Sequence, residues 1–191
     1  MGANDKHLLL QRHRITADEY QLLGRVGVLA PDARVELIDG EVIDMAPIGS
    51  RHFSVVTRLY RLLLLAVADR AVVASQSSMR LASHSEPQPD LGLYLPRDDF
   101  YAQALPTPAQ TVLLIEVADS SARYDREIKL PLYARHGINE LWIVDLDAQV
   151  LRMYRHPAGE DYRVCTETAT PGIVGIHALP GVQVDLSALL S

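Results

Sequence analysis

The run "TVLLIEVA" at 111–118 constrains the fold more than any other stretch of this chain. From Val112 to Val117 it is apolar on both faces apart from Glu116, without the alternation of a half-solvated strand, and a central strand covered on both sides reads this way. A carboxylate inside such a strand is costly to bury unless it is paired, protonated or bound to metal. A strand-end glutamate that reaches solvent or a structural arginine is the plainer alternative.

The flanking segments supply the covers. "TADEYQLL" opens on Thr16 with Glu19 three residues later, a capping-box pattern that predicts a short helix. In "RVELIDGEVIDM", Asp39-Gly40 between two alternating runs predicts a β-hairpin. Ser50 is placed to cap a helix through "RHFSVVTRLYRLLLLAVADR", in which Val55, Leu59, Leu62 and Leu63 fall at helical spacing. "AVVASQSSMRL" and "PDLGLYL" read as strands ahead of the central one. A helical region over 122–136 closes at Gly137, with Asp119, Ser120 or Ser121 as candidate caps. Pro131 lies inside it, which predicts a capped turn and a helix that restarts near 131. "ELWIVDL" and "VLRMYRH" flank a turn at Asp147-Ala148-Gln149, "DYRVCTET" adds an edge strand, and the C-terminal stretch is weakly patterned. This order predicts an α/β fold: a central mixed sheet flanked by helices, with an N-terminal hairpin. Residues 1–14 read as a tail and 15–191 as a single domain.

Composition narrows the function classes. With 191 residues, 48% of them hydrophobic, the chain can bury one substantial core. The net charge of −6 argues against coating nucleic acid or anionic membrane by bulk electrostatics, though it leaves room for a local basic groove. Cys165 is the only cysteine, so there is no internal disulfide framework and no cysteine-based zinc cage, which points to a reducing compartment, the cytoplasm. The longest apolar run, "LLLLAVA" at 62–68, falls far short of the roughly 20 residues a membrane span needs.

Asp90 changes the reading of Glu116. It follows Pro89 at the start of the preceding strand, so adjacent strands can bring both carboxylates to one end of the sheet. Two hard oxygen donors facing one cavity suit Mg²⁺ or Mn²⁺, with water and substrate phosphate completing the octahedron. Glu36, in "RVELID", is a third carboxylate, on the face opposite Val35 and Leu37; alone it reads equally as a solvated edge-strand residue. Lys129 is one of two lysines against sixteen arginines. It stands one helical turn after Asp125, so an ordinary surface ion pair would account for it. Its alternative role is a compact charge aimed at a metal site, orienting or helping to deprotonate an attacking water.

These four residues, in this order, carry a resemblance. The chain resembles the Uma-two family of bacterial restriction-endonuclease-like proteins, long labelled a domain of unknown function, within the PD-(D/E)XK nuclease superfamily. The matching pieces are "ELIDGEVIDM", "SRHFSVVTRL", "PQPDLGLY", "LLIEVADSSARYDREIKLPLYARHGINELWIVD" and the terminal "LPGVQVDLSAL". The resemblance implies a restriction-endonuclease-like core and metal-assisted hydrolysis of DNA phosphodiester bonds, with Asp90 and Glu116 as Mg²⁺ or Mn²⁺ ligands and Glu36 as a supporting acid. In the superfamily pattern the lysine comes two residues after the Glu, but position 118 is Ala; Lys129, on the following helix, fits the displaced position. His52, with Arg51 and Arg58 on one helix face, is a candidate contact to the DNA backbone, and Gln76 a candidate lining residue. Duplex cutting usually calls for two active sites, so a homodimer is expected.

The alternative from a different class is a catalytically inactive nuclease-fold module that binds nucleic acid or protein, which the acidic net charge favours. A Ser or Cys hydrolase finds no support: G-x-S-x-G is missing and Cys165 has no histidine near it in sequence.

Overall fold

The computed structural model describes residues 12–190. The expected tail at 1–14 lies largely outside them. Arg14, at its end, donates from Nε to the carbonyl of Asp39 at 2.8 Å.

The capping box forms as read. Thr16 accepts from the Glu19 N–H, and the Glu19 carboxylate accepts from the Thr16 N–H, opening helix α1 (Ala17–Arg25). Strands β1 (Val35–Ile38) and β2 (Glu41–Asp44) pair antiparallel, with Asp39 and Gly40 both at positive φ in the turn, as a type I′ turn requires. Helix α2 (Ser50–Val67) is capped one residue earlier than expected: Gly49 is the N-cap, without a side-chain bond, and Ser50 is the first helical residue. Its buried face is Val56, Leu59, Leu63 and Val67, so Val55 and Leu62 sit at the margin of the expected stripe.

The main sheet has six strands in the order β3-β4-β5-β6-β7-β8. Strand β3 (Val72–Ser75) is shorter than the eleven-residue run suggested. Gln76 takes a positive φ of 47° and turns the chain out of the ladder, its N–H donating to the Asp90 carbonyl at 2.9 Å. Strands β4 (Leu91–Tyr94) and β5 (Thr111–Ala118) pair antiparallel, and β5 pairs β6 (Glu140–Asp145) in parallel. Strands β7 (Val150–Ala158) and β8 (Asp161–Thr168) complete one side as a hairpin. One parallel pair among antiparallel ones makes the sheet mixed.

Strand β5 is central and covered on both faces, every residue after Thr111 being buried. Leu113, Ile115 and Val117 pack under α2 and under the small C-terminal pair β9 (Ile173–Gly175) and β10 (Gln183–Asp185). Leu114 packs on the opposite face with Leu130, Leu132 and Tyr133. Alternation therefore sends Glu116 to this second face.

The second cover departs from the restarted helix that Pro131 suggested. Helix α3 (Ala122–Tyr124) runs through a wide π-turn (Asp125–Lys129) directly into α4 (Leu130–Arg135), the backbone staying helical throughout. The Leu130 N–H reaches back to the Asp125 carbonyl, five residues away. Pro131 has no N–H to give and its ring would crowd an α-helical carbonyl one turn back, which the wider turn relieves. Asp125 and Lys129 both end up buried. Among the described residues no helix is long and apolar enough to cross a membrane.

Candidate active site

Three elements deliver the acidic residues to one place. Asp90 immediately precedes β4, and the register Leu91↔Ile115 sets it beside Glu116 on β5. The Asp90 Oδ2 accepts the Val117 N–H at 2.8 Å, which fixes the carboxylate to the strand that carries Glu116. Glu36 comes from the hairpin, 2% exposed instead of solvated, and accepts the Gln88 N–H at 3.1 Å and the Tyr124 hydroxyl at 3.2 Å.

Lys129 closes the group from the π-turn. Its Nζ lies 3.2 Å from Glu36 Oε2 and 3.2 Å from Glu116 Oε1. The surface ion pair with Asp125 is not what it forms. Asp125 is itself buried and accepts from the Ser121 hydroxyl at 2.7 Å. Ser121 is the N-cap of α3, yet its side chain serves Asp125 rather than the helix end.

All these side chains line one cavity of about 270 Å³, roofed by the chain from Ile43 to Gly49 between the hairpin and α2. Arg34 holds that roof by donating to the Ala46 carbonyl at 2.8 Å. Asp44 and Asp119 stand at its rim, so carboxylates outnumber basic groups along the wall.

The charges set one another. Burial pushes Glu116 up to about 8, opposed by Lys129 and reinforced by Asp125, Asp90 and Glu36. Burial likewise raises Asp125 to about 6. Lys129 moves the other way from what burial alone would do: the carboxylates of Glu116, Glu36 and Asp125 hold it protonated, above the ordinary lysine range. Four buried carboxyl groups around one buried ammonium leave an excess of negative charge, which favours a cation or retained protons.

Tyr133, on α4, donates to Glu116 Oε1 at 2.6 Å, on the same oxygen that faces Lys129. Among the described residues no donor reaches Oε2. Asp90 and Glu116 thus offer two hard oxygens at the cavity wall. Among the described residues no three His, Cys, Asp or Glu side chains close into a ready-made cage. Mg²⁺ and Mn²⁺ need none, since they are commonly held by one or two carboxylates with waters and substrate oxygens filling the octahedron, and the donor set fits them.

The α2 residues separate. His52 turns inward, Nε2 3.0 Å from Asp90 Oδ1, and its hydrogen bond to Asp90 raises its pKa against the effect of burial. Arg51 pairs with Asp119 at 3.3 Å and Asp147 at 3.0 Å and donates to the Leu146 carbonyl, while Arg58 donates to the Ala188 carbonyl. Both tie α2 to neighbouring loops. Gln76 does not line the cavity; its carbonyl accepts from Gln88 Nε2 at 2.7 Å. Tyr124, Tyr133, Gln88 and Asp125 complete the site without having been singled out as its members. Only Asp125 carried a signal, as a carboxylate one turn before the rare lysine.

A mixed six-stranded sheet flanked by helices places the chain among α/β proteins of nuclease-like fold. The chain belongs to the Uma2 family, described as "Putative restriction endonuclease", whose family model matches residues 17–187. The fold is similar to that in a crystal structure of "a putative nuclease belonging to DUF820" from Anabaena variabilis ATCC 29413. That likeness has a TM-score of 0.70 at 17% identity and covers 92% of this chain and 97% of the other. At that identity it speaks for the fold. No curated protein matches the sequence.

Proposed function

We propose that this chain is a divalent-metal-dependent endonuclease that hydrolyses DNA phosphodiester bonds, acting as one domain over residues 15–191. The observation that carries the reading is the convergence of Asp90, Glu116 and Lys129, from a strand start, a strand and a π-turn, on one cavity. Asp90 and Glu116 would hold Mg²⁺ or Mn²⁺. Such an ion, when bound, lowers the pKa of a water and neutralises charge on the scissile phosphate.

The chain's own residues supply the rest. Lys129, held protonated by the carboxylates around it, serves as a donor and fixed charge: it orients the attacking water and stabilises the charge that develops on phosphate oxygens. Glu36 pairs with the ammonium alongside Glu116, and Tyr124 and the Gln88 N–H hold Glu36. Tyr133 keeps one oxygen of Glu116 occupied. Duplex cutting by a single-site chain calls for two copies, so a homodimer working in the cytoplasm belongs to this reading.

One observation favours the inactive binding module instead: Asp44 and Asp119 at the cavity rim would repel a polyanion. Incubating purified protein with supercoiled plasmid and Mg²⁺ or Mn²⁺ separates the two. Metal-dependent nicking or linearisation, lost in Glu116→Ala and Lys129→Ala, is the expected result. Equal cleavage by wild type and both variants, or none with any metal or DNA, sinks the catalytic reading.

A further inference from the structure

Asp90 is gripped at both oxygens, by the buried Val117 N–H on Oδ2 at 2.8 Å and by His52 Nε2 on Oδ1 at 3.0 Å. The two grips differ in kind. The first belongs to the strand ladder; the second comes from a side chain in the first turn of α2, a helix anchored through Val56, Leu59, Leu63 and Val67 in the core. A carboxylate held at one oxygen only can still rotate about its terminal torsion, which is broad. A second donor on the other oxygen stops that rotation.

The remaining ring nitrogen sharpens the point. His52 Nδ1 is buried and has no hydrogen-bond partner among the described residues. The ring therefore directs its only protein hydrogen bond at Asp90. The nitrogen that faces the Asp90 carboxylate is the one that carries the proton, because a carboxylate oxygen accepts and does not donate.

We infer that His52 is a positioning residue that locks the Asp90 carboxylate in the orientation that receives the divalent cation, and not a DNA contact. This rests on the reading of Asp90 as a metal ligand. Residues that hold metal-binding carboxylates typically change metal affinity by about 10- to 100-fold when removed.

Calorimetric titration of the full chain with Mn²⁺ tests this without reference to cleavage. His52→Ala is expected to weaken binding roughly 10- to 100-fold. His52→Gln, whose amide nitrogen reaches about as far as the imidazole Nε2, is expected to restore it to within a few-fold. Melting in EDTA shows that each variant is folded, and if His52→Ala is not, His52→Gln against His52→Leu makes the comparison. Wild-type affinity in His52→Ala, or a His52→Gln as weak as His52→Ala, overturns the inference. So does nitrogen coupling in the electron spin echo of bound Mn²⁺ that disappears in His52→Ala, because it would make the ring a direct ligand. Asp90→Asn keeps the two failures apart. If wild type binds Mn²⁺ and Asp90→Asn does not, an unaffected His52→Ala removes only the inference; if wild type binds none, the metal reading falls and takes the inference with it.

Discussion

Lys129 Nζ lies 3.2 Å from Glu116 Oε1 in a fully buried contact between a π-turn and the central strand. The two residues are 13 apart in sequence. The helix after β5 folds back over the strand's own face, so the ammonium arrives at the same oxygen from a different element.

Removing either partner separates chemistry from stability. Lys129→Met is expected to reduce cleavage by at least about 100-fold, the scale of losing one preorganised charge stabiliser. It is also expected to destabilise the fold by roughly 3 kcal/mol, because it leaves buried carboxylates without their cation. Glu116→Gln is expected to abolish cleavage with a much smaller stability loss, since the amide keeps an acceptor for Tyr133. Urea denaturation beside the plasmid assay checks both; a Lys129→Met protein as active as wild type would refute the assignment.

Tyr133 donates to the Glu116 carboxylate, the proposed metal ligand. Tyr133→Phe removes the 2.6 Å bond to Glu116 Oε1 and is expected to cost about 1 to 1.5 kcal/mol of stability. It should also weaken Mn²⁺ binding several-fold by calorimetry, since the charged carboxylate loses a donor and its pKa rises further.

The carboxyl groups make metal-free stability depend on pH. Glu116 is raised from an ordinary 4.5 to about 8 and Asp125 from 3.8 to about 6, so the folded state binds more protons than the unfolded chain between those values. Their contribution is fully present below the unfolded values and is lost as pH rises through the folded ones. Lys129, raised above 10.5, contributes fully throughout that window. The melting temperature in EDTA is therefore expected to fall from about pH 4 to pH 8, with a flatter slope in Glu116→Gln. Mn²⁺ displaces the retained proton, so it should raise the melting temperature more at pH 8 than at pH 5.5. An identical slope in wild type and Glu116→Gln would show that Glu116 is not the group responsible.

Gly92 on β4 makes room for an aromatic ring. A Cβ there would strike the hydroxyl and ring of Tyr94, which is 1% exposed and packs beside Tyr101. Gly92→Ala is expected to destabilise by about 1 to 3 kcal/mol through overpacking, read as a lower urea midpoint at unchanged slope.

The strongest local signals carried the fold. "TVLLIEVA" is the doubly covered strand its uninterrupted apolar character described, and Asp39-Gly40 and the Thr16 capping box fold as written. These are local choices: turn chemistry, capping and period depend on residues a few positions apart. Strand β3 was overread because "AVVASQSSMRL" contains no Gly or Pro to mark its end, and the positive φ at Gln76 turns the chain out of the ladder after Ser75. In the α2 stripe Leu59 and Leu63 are buried as read, whereas Val55 and Leu62 reach only its margin and Val56 and Val67 complete it, because "LLLLAV" is apolar on every side and the sheet beneath selects the face.

By itself the sequence determined which residues had to be reckoned with: a carboxylate in an apolar strand, an aspartate at a strand start, and a rare lysine amid arginines. It also determined that Pro131 would disturb its helix. Only the tertiary structure decided that the disturbance is a π-turn burying both Asp125 and Lys129, that His52 leaves Arg51 and Arg58 to meet Asp90, and that Tyr133 serves Glu116. The physical reason is range. Burial costs and turn preferences are written into neighbouring residues, whereas the partner that offsets a buried charge comes from whichever element packs across the sheet.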